Sequence, residues 1–174
     1  MSAPTRRPLV AAVVAASAAT GLLAVAGPAT GVTTLTLRSV HSSSLGHNVV
    51  ATPSGRTLYH RTRETTRHFL CTGSCARIWP PLTVTSRSTR LVKGSGVRGT
   101  LGLVRRPRPD GRLQVTLNGL PLYRFSQDRR TGDAKGEGIP GEGSGGGVWH
   151  ALLASAPRPT TSPPPTTTYP GYNY

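Results

Sequence analysis

Leu113-Gln114-Val115-Thr116-Leu117-Asn118-Gly119-Leu120-Pro121-Leu122-Tyr123-Arg124-Phe125 reads as a β-hairpin. Leu113, Val115 and Leu117 alternate with polar Gln114 and Thr116, which is the period of a half-buried strand. Asn118-Gly119 follows; a two-residue hairpin turn needs positive φ at both positions, and these residues tolerate it. Pro121 to Phe125 is then the returning strand. Before it, Leu101 to Val104 reads as a strand that ends in the turn Arg108-Pro109-Asp110-Gly111. Nearer the N-terminus, His47 to Thr52, Pro53-Ser54-Gly55 and Arg56 to Tyr59 repeat the grammar of strand, turn and strand. One short helix is expected over Ser74 to Trp79, stopped by Pro80-Pro81. The fold class is therefore mainly β: a small domain of two pseudo-repeated antiparallel β units, with one short helix near the cysteine pair.

The repeat emerges when the hairpins are aligned. Ser54-Gly55-Arg56-Thr57-Leu58-Tyr59 matches Asn118-Gly119-Leu120-Pro121-Leu122-Tyr123. Each tyrosine is followed five residues on by an acid, Glu64 or Asp128, and each unit later reaches a tryptophan, Trp79 or Trp149. Two units that each leave one face uncovered are expected to pack together. The units span about 46–82 and 101–152, within a domain of 45–155 that residues 27–44 join as a linker.

The N-terminus reads as an export signal over 1–26. Arg6 and Arg7 precede an apolar run from Leu9 to Ala26, and Ala24-Val25-Ala26 offers a small-x-small cleavage site. The alternative is an uncleaved membrane anchor, because a run of about 18 residues is at the lower edge of a bilayer span. From 156 to 174 the chain is mostly Pro, Thr and Tyr, too poor in apolar surface to fold, so a disordered extended tail is expected.

The chain carries 21 Lys or Arg and 6 Asp or Glu, a net charge of +15. From Arg38 to Arg108 there are 13 basic residues and one acid, Glu64, giving +12; the other five acids lie between Asp110 and Glu142. Such a balance favours polyanions through long-range attraction. For an exported protein the matching partners are anionic cell-wall polymers or an anionic lipid surface, and export counts against nucleic acid. A plainer account is an abundance of Arg codons, since Arg outnumbers Lys 19 to 2.

Cys71 and Cys75 are the only cysteines. Outside the cytoplasm such a pair most often forms a disulfide, and a turn between them brings the Cα atoms within the required range. Two other readings remain open: an exchangeable redox pair, and a copper site of Cys71, Cys75 and His68, since copper favours sulfur and imidazole ligands. A tyrosine with an acid five residues on, across a turn, brings a phenol within reach of a carboxylate, which suits proton or electron transfer or ligand binding; the alternative is a packed tyrosine whose hydroxyl finds a partner while the acid accepts backbone N–H bonds in the turn. Gly136 to Gly147 lacks the Lys-Ser/Thr of a phosphate loop, and no catalytic triad or metalloprotease motif is recognisable. No catalytic residue and no cofactor is therefore assigned, and a non-enzymatic protein is expected.

Leu58-Tyr59 followed by Cys71-Thr72-Gly73-Ser74-Cys75-Ala76-Arg77-Ile78-Trp79-Pro80-Pro81-Leu82 resembles the first unit of the bacterial "secreted repeat of unknown function", a family of predicted lipoproteins with a Y-x-(F/W/Y)-x-x-D motif. Asp110 to Asp128, then Gly132-Asp133, Gly136, Gly138 and Trp149, resembles the second. The resemblance makes Tyr59, Glu64, Trp79, Tyr123, Phe125, Asp128 and Trp149 the motif positions. The first unit departs from the motif: Arg61 stands where an aromatic is expected, and Glu64 replaces Asp. The lipid-attachment cysteine is also missing after Leu23-Ala24-Val25-Ala26-Gly27. The resemblance implies the cell envelope and supplies no reaction. The expectation is an exported envelope protein of unknown activity that binds or supports through a basic face, with extracytoplasmic redox or copper handling as the alternative.

Overall fold

The computed structural model describes residues 32–141, 143 and 145–155. The export signal and the Pro/Thr/Tyr-rich tail lie outside them. Nine strands and one helix are present among the described residues: β1 (Thr34–Ser42), β2 (His47–Ala51), β3 (Tyr59–Arg61), α1 (Cys75–Ile78), β4 (Thr83–Val84), β5 (Arg90–Lys93), β6 (Leu101–Arg105), β7 (Leu113–Leu117), β8 (Leu120–Pro121) and β9 (Trp149–Ala151).

The strands form three small sheets, ordered β2-β1-β5, β3-β9 and β4-β7-β6, with β8 paired to β7. All pairings are antiparallel except β1 with β5. That parallel pair involves β1, the first strand among the described residues. The stretch expected as a linker over 27–44 thus contains a nine-residue strand over Thr34–Ser42. The alternation of Thr34, Leu35, Thr36 and Leu37 explains it: Leu37 is fully buried while Thr34 stays exposed.

The hairpin turn is as read, with φ of 52° at Asn118 and 77° at Gly119. The strands around it differ from expectation. All five residues of β7 are buried, because Gln114 and Thr116 also face protein rather than water. Regular pairing in the return strand ends at Pro121, after which Tyr123 forms single bridges with Tyr59 and Pro81. The helix is shorter than Ser74 to Trp79, covering Cys75–Ile78, with the Trp79 amide donating to the Cys75 carbonyl at 2.8 Å.

Two hydrophobic clusters fill the interior. One is aliphatic, built from Leu37, Val50, Leu58, Leu82, Val97, Val115, Leu117 and Leu122. The other holds Val49, Tyr59, Cys71, Trp79, Tyr123, Phe125, Trp149 and Ala151. The repeated Leu-Tyr dipeptide accounts for the division. Neighbouring side chains on extended backbone point to opposite faces, so Leu58 and Leu122 enter the aliphatic cluster while Tyr59 and Tyr123 enter the aromatic one. Full burial of a large apolar side chain stabilises by about 1.5–3 kcal/mol. The dipeptide contributes on both faces.

Candidate functional site

The two tyrosines meet at the centre of the domain. The Tyr59 amide donates to the Tyr123 carbonyl at 2.8 Å, and the Tyr123 amide returns a bond to Tyr59 at 2.9 Å. This places each phenol beside an acid far away in the sequence. The Tyr59 hydroxyl donates to Asp128 Oδ2 at 2.7 Å, and the Tyr123 hydroxyl donates to Glu64 Oε1 at 2.7 Å. Neither phenol meets the acid five residues on; each tyrosine is packed with its hydroxyl on the distant acid, and each acid also accepts backbone amides.

The acids also hold their own loops in matching ways. Seven residues beyond Glu64, the Cys71 amide donates to Oε1 at 3.2 Å; seven beyond Asp128, the Lys135 amide donates to Oδ1 at 3.0 Å. Burial pushes both carboxyl pKa values up, opposed at Glu64 by the Tyr123 hydrogen bond and at Asp128 by that of Tyr59. Glu64 Oε2 is buried without a hydrogen-bond partner among the described residues. Burial, followed by the effect of the acceptor carboxylate, raises both phenol pKa values. These phenols are neutral donors that close carboxylate-centred loops.

The motif tryptophans stack on one another with centroids 3.9 Å apart and planes 7° apart. Tyr59 meets Trp79 edge-on at 5.4 Å, Tyr123 meets Trp149 edge-on at 5.1 Å, and Phe125 stacks on Trp79 at 4.4 Å. Arg61, where the motif calls for an aromatic, sits buried in β3 with its guanidinium 6.0 Å from the Trp149 ring and Nε donating to the Gly146 carbonyl. All seven motif positions are buried, so the motif is the centre of the fold.

Cys71 and Cys75 form a disulfide with Cα atoms 5.2 Å apart. In this state neither sulfur is a thiolate available to a metal. Cys71 is fully buried; Cys75 and exposed His68 line a groove of about 840 Å³ whose floor includes Phe69, Trp79, Phe125 and Trp149. Among the described residues, no group of three or more His, Cys, Asp or Glu is arranged to hold a metal.

The sequence reading missed Arg106. Its guanidinium is buried and donates to Asp110 at 2.6 Å, to Gln114 at 2.5 Å, to the Tyr123 hydroxyl at 3.1 Å and to the Cys71 carbonyl at 2.7 Å. Nothing in a chain with 19 Arg distinguishes this one; the only local signal was Asp110 four residues on. A second missed feature is the cross-strand pair His60 and His150, with centroids 6.1 Å apart and His150 Nδ1 2.7 Å from Glu137. Burial, then the neighbouring His150, pushes the His60 pKa down.

The architecture defines a class: a small disulfide-containing β domain with a crossed pair of tyrosine–carboxylate locks around an aromatic stack. Residues 105–152 match a family model described as a secreted repeat of unknown function. The matched span contains β7, β8, β9 and the complete Tyr123, Phe125 and Asp128 motif. No curated protein and no solved structure matches the chain. The family description supports an extracellular location. Among the described residues, no helix is long and apolar enough to cross a membrane.

Proposed function

We propose that the protein is an exported, non-enzymatic module of the cell envelope, built as two related β units, that attaches to anionic surface material through its positive surface. The observation that carries this reading is the separation of charge by depth. Of the described Lys and Arg residues, all are exposed except Arg56, Arg61 and Arg106. Every described acid is buried or half-buried, and each accepts hydrogen bonds from within the protein. The fold thus consumes its negative charge internally and presents the positive charge to solvent, which draws polyanions over a distance set by salt. The matching hydrogen bonds of Glu64 and Asp128 support the two-unit reading.

Co-sedimentation with purified wall and with anionic liposomes tests the attachment. Binding is expected at low salt and to fall steeply between about 0.05 and 0.5 M, as the screening length shortens. Salt-independent binding, or none, refutes it.

Redox or copper handling by Cys71, Cys75 and His68 is the second reading, supported by the half-buried Cys75 at the edge of the aromatic groove. It requires the disulfide to open in the folded protein. Alkylation followed by intact mass tests this: a pair that stays closed under mild reductant, without bound metal in protein from its own host, removes the reading.

A further inference from the structure

The groove beside the disulfide has the features of a specific anion site. It encloses about 480 Å³ between two walls. One wall is the disulfide loop and helix α1, contributing Thr72, Gly73 and Arg77; the other is the 106–112 turn, contributing Arg108 and Arg112. Arg106 lies between them and joins the walls, because it donates both to the Cys71 carbonyl and to Asp110.

Charge within the groove is strongly one-sided. Four arginines, Arg77, Arg106, Arg108 and Arg112, line it with one acid, Asp110, a formal sum of +3, the Arg106 side chain being itself buried. Asp110 is already engaged by Arg112 Nε at 2.6 Å and by Arg106, which hold its pKa down at about 2. It therefore accepts from the groove's own arginines at any ordinary pH. Arg77 and Arg108 are exposed on opposite walls and make no side-chain hydrogen bond among the described residues. Their forks are the ones open to a ligand.

We infer that this groove binds the phosphate groups of an anionic polymer, with Arg77 and Arg108 contacting one phosphate unit from opposite walls. The inference rests on the polyanion reading above and gives it a location and a ligand chemistry. Phosphate suits the site better than carboxylate: its tetrahedral oxygens present acceptors in several directions, so guanidiniums on two walls are satisfied at once, whereas a planar carboxylate matches a single fork. The disulfide matters because it closes the loop that holds one wall, and Arg106 ties that loop to the other. Binding then meets pre-positioned donors and loses less conformational freedom.

The test uses the full chain, inorganic polyphosphate as the probe, and fluorescence anisotropy near 0.15 M salt. Arg77→Ala/Arg108→Ala is compared with Arg90→Ala/Arg98→Ala, which removes the same charge from residues outside the groove. The groove double variant is expected to bind about tenfold or more weakly, and the control within about twofold of the unmodified protein. All four residues are exposed, and thermal melting confirms that each variant is folded. Equal losses in the two variants overturn the groove while leaving diffuse polyanion attachment intact. Binding to purified wall without binding to polyphosphate, or to phosphatidylglycerol vesicles alone, overturns the phosphate-polymer assignment. Failure to bind wall, vesicles and polyphosphate overturns the attachment reading itself. Opening the disulfide with reductant is expected to weaken polyphosphate severalfold; unchanged affinity overturns the loop's part in the site.

Discussion

Exchange of partners between the two tyrosine–acid pairs predicts a specific pattern of energetic coupling. Tyr59→Phe removes one hydroxyl and leaves ring and packing in place. Lost with it are the 2.7 Å bond to Asp128 and a 3.3 Å bond from the Gly136 amide. A hydrogen bond to a charged group contributes about 1.5–3 kcal/mol, so a loss near 2 kcal/mol is expected. Asp128→Asn removes the charge whose burial is unfavourable, so its own cost is smaller, but it also ends the ionic character of the bond. The double-mutant cycle isolates the pair: Tyr59 with Asp128 should couple by about 1–2 kcal/mol, and so should Tyr123 with Glu64. The Tyr59 and Glu64 side chains, only five residues apart in sequence, share no hydrogen-bond partner among the described residues, so this pair should be additive within about 0.5 kcal/mol. Urea unfolding followed by the fluorescence of the buried Trp79 and Trp149 supplies the four free energies of each cycle. Strong coupling between Tyr59 and Glu64, with none between Tyr59 and Asp128, refutes the crossed arrangement.

Four further outcomes follow from the same structure. Burial raises the pKa of Glu64 and Asp128 in the folded state, so the folded protein binds protons more tightly than the unfolded chain; stability should fall as pH rises from about 4 through their folded values. Glu64→Gln should flatten that decline in urea midpoints measured across pH, and an unchanged slope removes the account. Asp110 has the opposite sign: held at about 2 by Arg112 and Arg106, it adds stability that is lost as pH drops from about 4 towards 2, and Asp110→Asn should abolish its share. Cys71→Ala/Cys75→Ala closes no loop, but the loop is so short that the loss should stay below about 3 kcal/mol, leaving far-UV circular dichroism unchanged; a larger loss means that Cys71 packing dominates. Gly136→Ala should cost about 1–3 kcal/mol by thermal melting, because its Cβ would lie 2.7 Å from the Trp79 ring and 3.0 Å from Tyr59.

Local patterns carried the parts of the fold that depend on neighbours in the chain. The Asn118-Gly119 turn was legible because few residues accept positive φ at two successive positions. The helix near Cys75 was legible because Pro80-Pro81 stops it. The strand over Thr34–Ser42 carries the same kind of signal in its Thr-Leu alternation, which a linker over 27–44 does not account for. Burial of Gln114 was not legible: an amide in a strand reads as solvent-facing until Arg106 and the Leu122 carbonyl are in place to satisfy it.

The sequence by itself determined that the Leu-Tyr dipeptide occurs at both 58–59 and 122–123, that the two cysteines stand four residues apart, and that basic residues greatly outnumber acids. These are matters of order, spacing and composition. Tertiary structure decided which acid each tyrosine meets, which arginine is buried, and that all described acids turn inward while most basic residues face water. Those outcomes depend on groups 59 and 69 residues apart being brought to 2.7 Å, and on burial making each unpaired charge costly. Spacing along a chain records which partners are near at hand; only the packed backbone, bridged at Tyr59 and Tyr123, selects among the distant ones.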